Sequence, residues 1–167
     1  MSREKIAGII AIIGGILTLI SVLLPTTYIR WEYSGSDMDI YFWMWGFTYA
    51  QGADDSISKS KFAIEFYGCI CAIEIITASI IAILKGNGIR KGDSGETLAF
   101  FMGIMAILTM ISWILAVELF YTASFVIFGD QLGLNFWDFY EFGIGVYTLF
   151  IGANVIIIGA LIKMTSD

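Results

Sequence analysis

The sequence contains no histidine, two cysteines and one proline, and only 14% of its 167 residues are charged. Each shortage excludes something. Without histidine the chain lacks the commonest metal ligand and the side chain best suited to general-base work near neutral pH. Ser21 and Ser112 therefore have nothing of the usual kind to activate them as nucleophiles. Cys69 and Cys71 stand two apart inside an apolar run. On a helix they point to different faces and cannot bridge each other, and they lack the Cys-x-x-Cys spacing of a redox pair. Asp37 and Asp39 alone do not make a calcium site. No basic stripe marks a nucleic-acid surface. These shortages predict a chain that is not an enzyme, holds no metal or cofactor, and does not bind nucleic acid.

What the chain has in excess is apolar surface. Hydrophobic residues make up 58% of it, and its mean hydropathy is +0.83. A soluble domain averages about 45–50% apolar and about 25% charged residues. Lipid is the solvent in which this composition makes sense.

Four long apolar runs carry the signal: Ile6–Leu24, Phe62–Leu84, Leu98–Val117 and Phe142–Ile162. Each matches the roughly 20 residues that a helix needs to cross about 30 Å of hydrocarbon. None alternates polar with apolar as a barrel strand would. Ile6–Leu24 follows Arg3 and Lys5, as a secretory signal would. It is longer than the usual h-region, ends in Leu23-Leu24-Pro25 with no Ala-x-Ala site, and is read as a retained span.

Lys and Arg distribute unevenly between the connections. With the N-terminus inside, the inner segments 1–5, 85–97 and 163–167 hold Arg3, Lys5, Lys85, Arg90, Lys91 and Lys163. The much longer outer loops 25–61 and 118–141 hold only Arg30, Lys59 and Lys61. This bias predicts a multi-pass protein of the cell membrane with both termini cytoplasmic. The net charge of −6 is then mainly a property of the outer face. In the inner loop, Asp93 and Glu96 have the spacing of a capping box. The glycines there lack a following Gly-Lys-Ser/Thr and read as a turn rather than a phosphate cradle.

The expected fold class is an all-α membrane protein, a four-transmembrane-helix bundle with a small extracellular β-sheet in the first outer loop. The whole chain, 1–167, forms one membrane domain. In that loop Thr26–Tyr33 and Asp39–Tyr49 read as two strands around the turn residues Ser34–Asp37. Ile29, Trp31 and Tyr33 are expected to share a face with Tyr41, Trp43, Trp45 and Phe47. At least one of Trp43 and Trp45 should be well buried, and Val126–Phe136 should add a strand or a packing contact. Gln51–Lys61 reads as a polar connection. The second outer loop is rich in aromatics, among them Trp137. Those aromatics fit either a belt along the headgroups or a partner-binding surface.

Small residues mark the helix contacts. Gly8 and Gly15 in the first span, and Gly145, Gly152 and Gly159 in the fourth, form seams expected to face each other. Glu74 is the residue singled out for chemistry. A mid-membrane carboxylate costs about 2.5–3.5 kcal/mol on insertion scales. Asn154, Thr109 and Ser112 lie at matching depths and complete a possible polar cluster. Three readings stand for it: a neutral contact that holds the bundle together, a proton- or cation-coupling carboxyl, and contact with a partner subunit.

Trp31 soon after the first span, with Trp43-Met44-Trp45-Gly46 downstream, gives the layout a resemblance to the claudin and peripheral-myelin-protein superfamily. The paired first-loop cysteines of that superfamily are missing here. The layout is also similar to prokaryotic four-span proteins of no assigned role whose first span closes on Leu-Pro. The resemblance implies a structural or adhesive element, or an accessory subunit. Its partners would be the lipid bilayer, further copies of itself, or other membrane-protein subunits. A small transporter or channel built around Glu74 is the competing expectation.

Overall fold

The computed structural model describes residues 2–33, 36–51, 56–59, 65–127 and 140–166. Among them are four helices, α1 (Arg3–Ser21), α2 (Glu65–Lys91), α3 (Glu96–Ile127) and α4 (Ile144–Met164). Each contains a stretch long and apolar enough to cross a membrane. The strands are β1 (Thr27–Tyr33), β2 (Ser36–Phe42), β3 (Phe47–Gln51), β4 (Ser56–Lys59) and β5 (Glu141–Phe142). Neighbouring helices run antiparallel in the cyclic order α1–α2–α3–α4, and α1 packs most extensively against α4. Both termini lie at one end of this bundle, here the terminal end. The sheet, with β1–β4 between α1 and α2 and β5 just before α4, lies at the other.

The helix limits differ from the apolar runs, for local reasons. α1 stops at Ser21 rather than Leu24. A proline ring clashes with the carbonyl four residues back, which for Pro25 is that of Ser21. α2 continues through Lys91, so most of the expected inner loop is helix. It closes at Gly92, whose φ of +94° suits a residue without a Cβ. There the Gly92 N–H donates to Ile89 O and the Asp93 N–H to Gly88 O, both at 3.0 Å. The expected Asp93–Glu96 box does not form at the start of α3. Gly95 supplies the carbonyl that accepts the first helical bond, from Ala99 N, and the Glu96 carboxylate accepts the Gly95 N–H at 2.8 Å. α3 runs to Ile127, well past Val117, because no proline and no glycine after Gly103 interrupts it.

Small residues set the helix contacts, in a different arrangement from the expected one. A Cβ on Gly152 would lie 2.5 Å from Thr18 Oγ1 and 2.6 Å from its backbone N. One on Gly159 would lie 2.7 Å from Ala11 N, and one on Gly145 2.8 Å from Leu24 O. The α1 side of this contact is Ala7, Ala11, Gly14, Thr18 and Ser21, all buried. Gly8 and Gly15 do not face α4. They meet α2, Gly8 at Gly86 and Arg90 and Gly15 at Ser79 and Ile83. The reason is angular. On a helix of 3.6 residues per turn, positions 7, 11, 14 and 18 form one row, while 8 and 15 lie a step round the axis. The buried hydroxyls at these α1 contacts stay satisfied within their own helices. Thr18 donates to Gly14 O at 2.9 Å, Ser21 to Thr18 O at 2.6 Å and Ser79 to Ile75 O at 2.7 Å.

The five strands form an antiparallel sheet in the order β4-β3-β2-β1-β5. β1 and β2 make the expected hairpin, with Tyr33 opposite Ser36 and only two residues between. That short connection fixes a register in which Tyr28 faces Tyr41 and Ile29 faces Ile40. Tyr41 therefore lies on the face opposite to Ile29, contrary to the expected pairing, because a one-residue change of register moves every side chain across the sheet. The second expected strand is broken at 43–46. Gly46 N donates to Trp43 O and Trp43 N to Phe47 O, with Gly46 at φ +91°. This is a three-residue hairpin loop closed by a left-handed glycine. The expected polar connection holds β4, which pairs with β3. Of Val126–Phe136, Val126 and Ile127 belong to α3 and the rest lie outside the described residues. Among the described residues, the strand that joins β1 on its other edge is β5, paired at Thr27 and Tyr28.

Gly152→Ala should force α1 and α4 apart and lower stability by about 1–3 kcal/mol. Gly88→Ala, where a Cβ has only ordinary contacts at 3.6 Å or more, should be neutral or stabilise by up to about 1 kcal/mol through helix propensity. Unfolding midpoints of the two variants in one mild detergent check both.

Candidate functional site

Three of the four polar residues expected to cluster lie on α2 and α3, and only two of the four meet. Thr109 Oγ1 donates to Glu74 Oε2 at 3.1 Å. Thr109 is buried, whereas Glu74 is exposed on the outside of the bundle. Ser112 instead shares a hydrogen bond with the Tyr67 hydroxyl across the same α2–α3 contact. Asn154 lies on α4, exposed, and its Nδ2 donates to Phe150 O of its own helix at 2.8 Å. Matching depth placed these residues at similar levels but said nothing about the side of the bundle. Around Glu74 the surface is apolar, with Ile73 and Leu108 more than half exposed. The exposed Thr77 donates to Ile73 O at 2.8 Å.

The sheet end is joined to the helix ends by a series of backbone-directed bonds. Beyond α1 the chain offers the carbonyls of Leu23, Pro25 and Thr26. Trp43 Nε1 donates to the first at 2.9 Å, Gly145 N to the second at 2.9 Å and Gly143 N to the third at 2.8 Å. The 43–46 loop reaches down onto α2. The Met44 carbonyl rests against Gly68, where a Cβ would come within 1.9 Å of it, and Cys69 Sγ lies 3.8 Å from Trp45 O. Neither tryptophan of the loop is well buried, since Trp43 is intermediate and Trp45 is 39% exposed. Met44, at 3% exposure, fills the core position expected of one of them. It joins Ile75, Met110, Trp113 and Leu149. The loop turns at these residues, so strand alternation no longer decides which side chain points inward.

One face of the sheet carries a row of tyrosines. Glu141, Tyr28, Tyr41, Tyr49 and Ile57 are successive cross-strand partners on all five strands. Tyr28 and Tyr41 stack at 6.3 Å between ring centroids, and Tyr41 and Tyr49 at 6.4 Å. The Tyr28 hydroxyl donates to Glu141 Oε2. Beside this row Arg30 pairs with Asp39 at 3.0 Å. Phe47 is exposed and packs its ring on Trp45 at 5.1 Å. Trp31 belongs to β1, and Trp137 lies outside the described residues. Sequence reasoning grouped Tyr41 with the tryptophans and missed Tyr28 and Glu141. The signal that could have found the row was the two-residue connection, which sets the register.

At the terminal end, Lys163 Nζ pairs with Glu4 Oε1 at 2.9 Å and joins the last turn of α4 to the first turn of α1. The lysine side chain is only 7% exposed. Each charge also complements the dipole of its own helix terminus.

No family model and no curated protein matches the chain.

The Glu141 carboxylate holds the Tyr28 phenol above its ordinary value of 10.0, chiefly by accepting its hydrogen bond, while Arg30 pulls the other way. Ionisation of Tyr28 is thus harder in the folded chain than in the unfolded one. Its contribution to stability is fully present below pH 10 and is lost as pH rises through the raised value. In an ultraviolet titration, Glu141→Gln should shift one tyrosine back towards its ordinary range.

Proposed function

We propose that this chain is a non-enzymatic, multi-pass protein of the cell membrane that acts as a structural element or accessory subunit of a larger membrane assembly. In this reading α1–α4 cross the bilayer, the termini are cytoplasmic, and the sheet stands on the outer side. The observation that carries it is the position of Glu74, in the apolar middle of α2 but on the outside of the bundle. Ionisable side chains within the hydrocarbon normally face a bundle interior or a water-filled cavity. Thr109 offers Glu74 a single hydroxyl. A neighbouring subunit, either a second copy or another membrane protein, would cover this flank and supply the remaining hydrogen bonds.

The tyrosine row and the exposed Phe47 and Trp45 at the sheet end support a second contact surface of the same assembly. A claudin-like adhesive element is the special case in which that surface meets another cell. The same placement of Glu74 speaks against the coupled transporter, in which the carboxyl would line a passage between the helices.

Gentle detergent extraction followed by native mass measurement tests the proposal. The expected species is heavier than the 18.5 kDa of one chain, and Glu74→Leu should weaken its assembly at least ten-fold while its helix content is unchanged. A strictly monomeric wild type that never cross-links in the membrane overturns the reading. Ion flux through vesicles that is abolished by Glu74→Gln would turn it towards the transporter.

A further inference from the structure

The terminal end holds an open-sided groove of about 480 Å³ lined by Lys5 and Ile9 of α1 and by Arg90 and Lys91 of α2. We propose that this groove binds the headgroup phosphate of an anionic phospholipid in the adjoining leaflet, and the proposal rests on the membrane reading above. Several features point to a lipid. The two helices are held close beside the groove, because a Cβ on Gly8 would lie 2.5 Å from both Arg90 N and Gly86 O. The three cations are therefore presented on neighbouring, fixed turns. The Arg90 guanidinium is oriented by a 3.0 Å bond from Nη2 to Asn87 Oδ1, which leaves its other donors available. An arginine held in this way can meet a phosphate with two parallel bonds.

The groove is lined by three cations and by no acidic residue. Glu4, the acidic residue of the same turn as Lys5, pairs with Lys163 of α4 through Oε1, and its Oε2 lies near Gly92. Among the described residues, neither ion pair involves Lys5, Arg90 or Lys91. Towards the middle of the bundle the walls become apolar along the same helix rows. Ile9 and Ile16 follow Lys5 at four and eleven residues, and Leu84 and Ile80 precede Lys91 at seven and eleven. Ile16 is 44% and Leu84 64% exposed. A cationic mouth above two exposed apolar rows fits a phosphate with acyl chains attached and offers a free anion nothing beyond the mouth. Basic pockets between spans on the cytoplasmic side suit anionic headgroups for the same reasons.

The test uses the full chain, purified in mild detergent and titrated with phosphatidylglycerol or phosphatidylcholine of equal chain length, with bound lipid counted by native mass spectrometry. Wild type should retain phosphatidylglycerol at a lipid concentration at least ten-fold below that needed for phosphatidylcholine. The combined Lys5→Gln, Arg90→Gln, Lys91→Gln variant should lose that preference, and Arg30→Gln, at the other end of the molecule, should keep it. Lys5→Gln alone, which leaves the Gly8–Arg90 contact intact, should weaken retention about five-fold. Inorganic phosphate in hundred-fold excess should leave the lipid bound. A triple variant that keeps the preference overturns the site, and displacement by inorganic phosphate overturns the lipid in favour of a free anion. A wild type that enters phosphatidylcholine nanodiscs but shows no preference refutes this site alone. One that enters no bilayer refutes the membrane reading itself.

Discussion

Between α1 and α4 the backbones touch. Thr18 and Gly152, Ala11 and Gly159, and Gly14 and Ile156 approach so closely that a single added methyl group has no space. Close backbone contact of this kind supplies attraction through dispersion, which is the attraction left to helices wherever lipid is the solvent. The same contact leaves no room for long polar side chains, and the hydroxyls present turn back onto their own helices. α2 joins the pair by a second small-residue contact, at Gly8, Gly15 and Gly86. α3 completes the ring with Gly103 close against Ala153 of α4 and with bulkier packing at Trp113 and Met110, both buried.

The sheet depends on that contact. Its β1 strand leaves the end of α1 and its β5 strand leads into α4, so the two are neighbours because α1 and α4 are. A two-stranded hairpin is marginal in water by itself, and further strands and packing against helices secure it. Here it is secured by Trp43 on Leu23, by Gly143 and Gly145 on Thr26 and Pro25, and by Met44 in the bundle core. No disulfide is needed for this, and Cys69 and Cys71 are both free thiols.

Much of the architecture was legible in the sequence because hydropathy over some twenty residues is a strong signal. The four apolar helices could be read in this way, and the Thr27–Phe42 hairpin from β-forming residues on either side of a turn cluster. Helix ends were read less well, because they depend on local chemistry that hydropathy ignores: Pro25 acting on Ser21, Gly92 closing α2, and an unbroken run carrying α3 to Ile127. The direction in which a residue faces was harder still. Glu74, Asn154, Thr109 and Ser112 share a depth, yet only rotation about each helix axis decides which of them meet. The same geometry sends Gly8 to α2 and Gly14 to α4. In the sheet, a two-residue connection reversed the expected faces, and a left-handed Gly46 turned a single expected strand into a hairpin with Met44 beneath it.

The union of β1 with β5 also bears on how the protein is made. Tyr28 and Glu141 are 113 residues apart. A chain is synthesised from its N-terminus, so β1 can pair with β2 early but must wait for its other neighbour until nearly all of α3 and the segment after it have emerged. During that interval one edge of β1 carries open backbone donors and acceptors, which are a template for pairing with any strand nearby. Distant pairings of this kind also form slowly. Completion of the sheet is therefore a late event in biogenesis, coupled to the arrival of α4 beside α1.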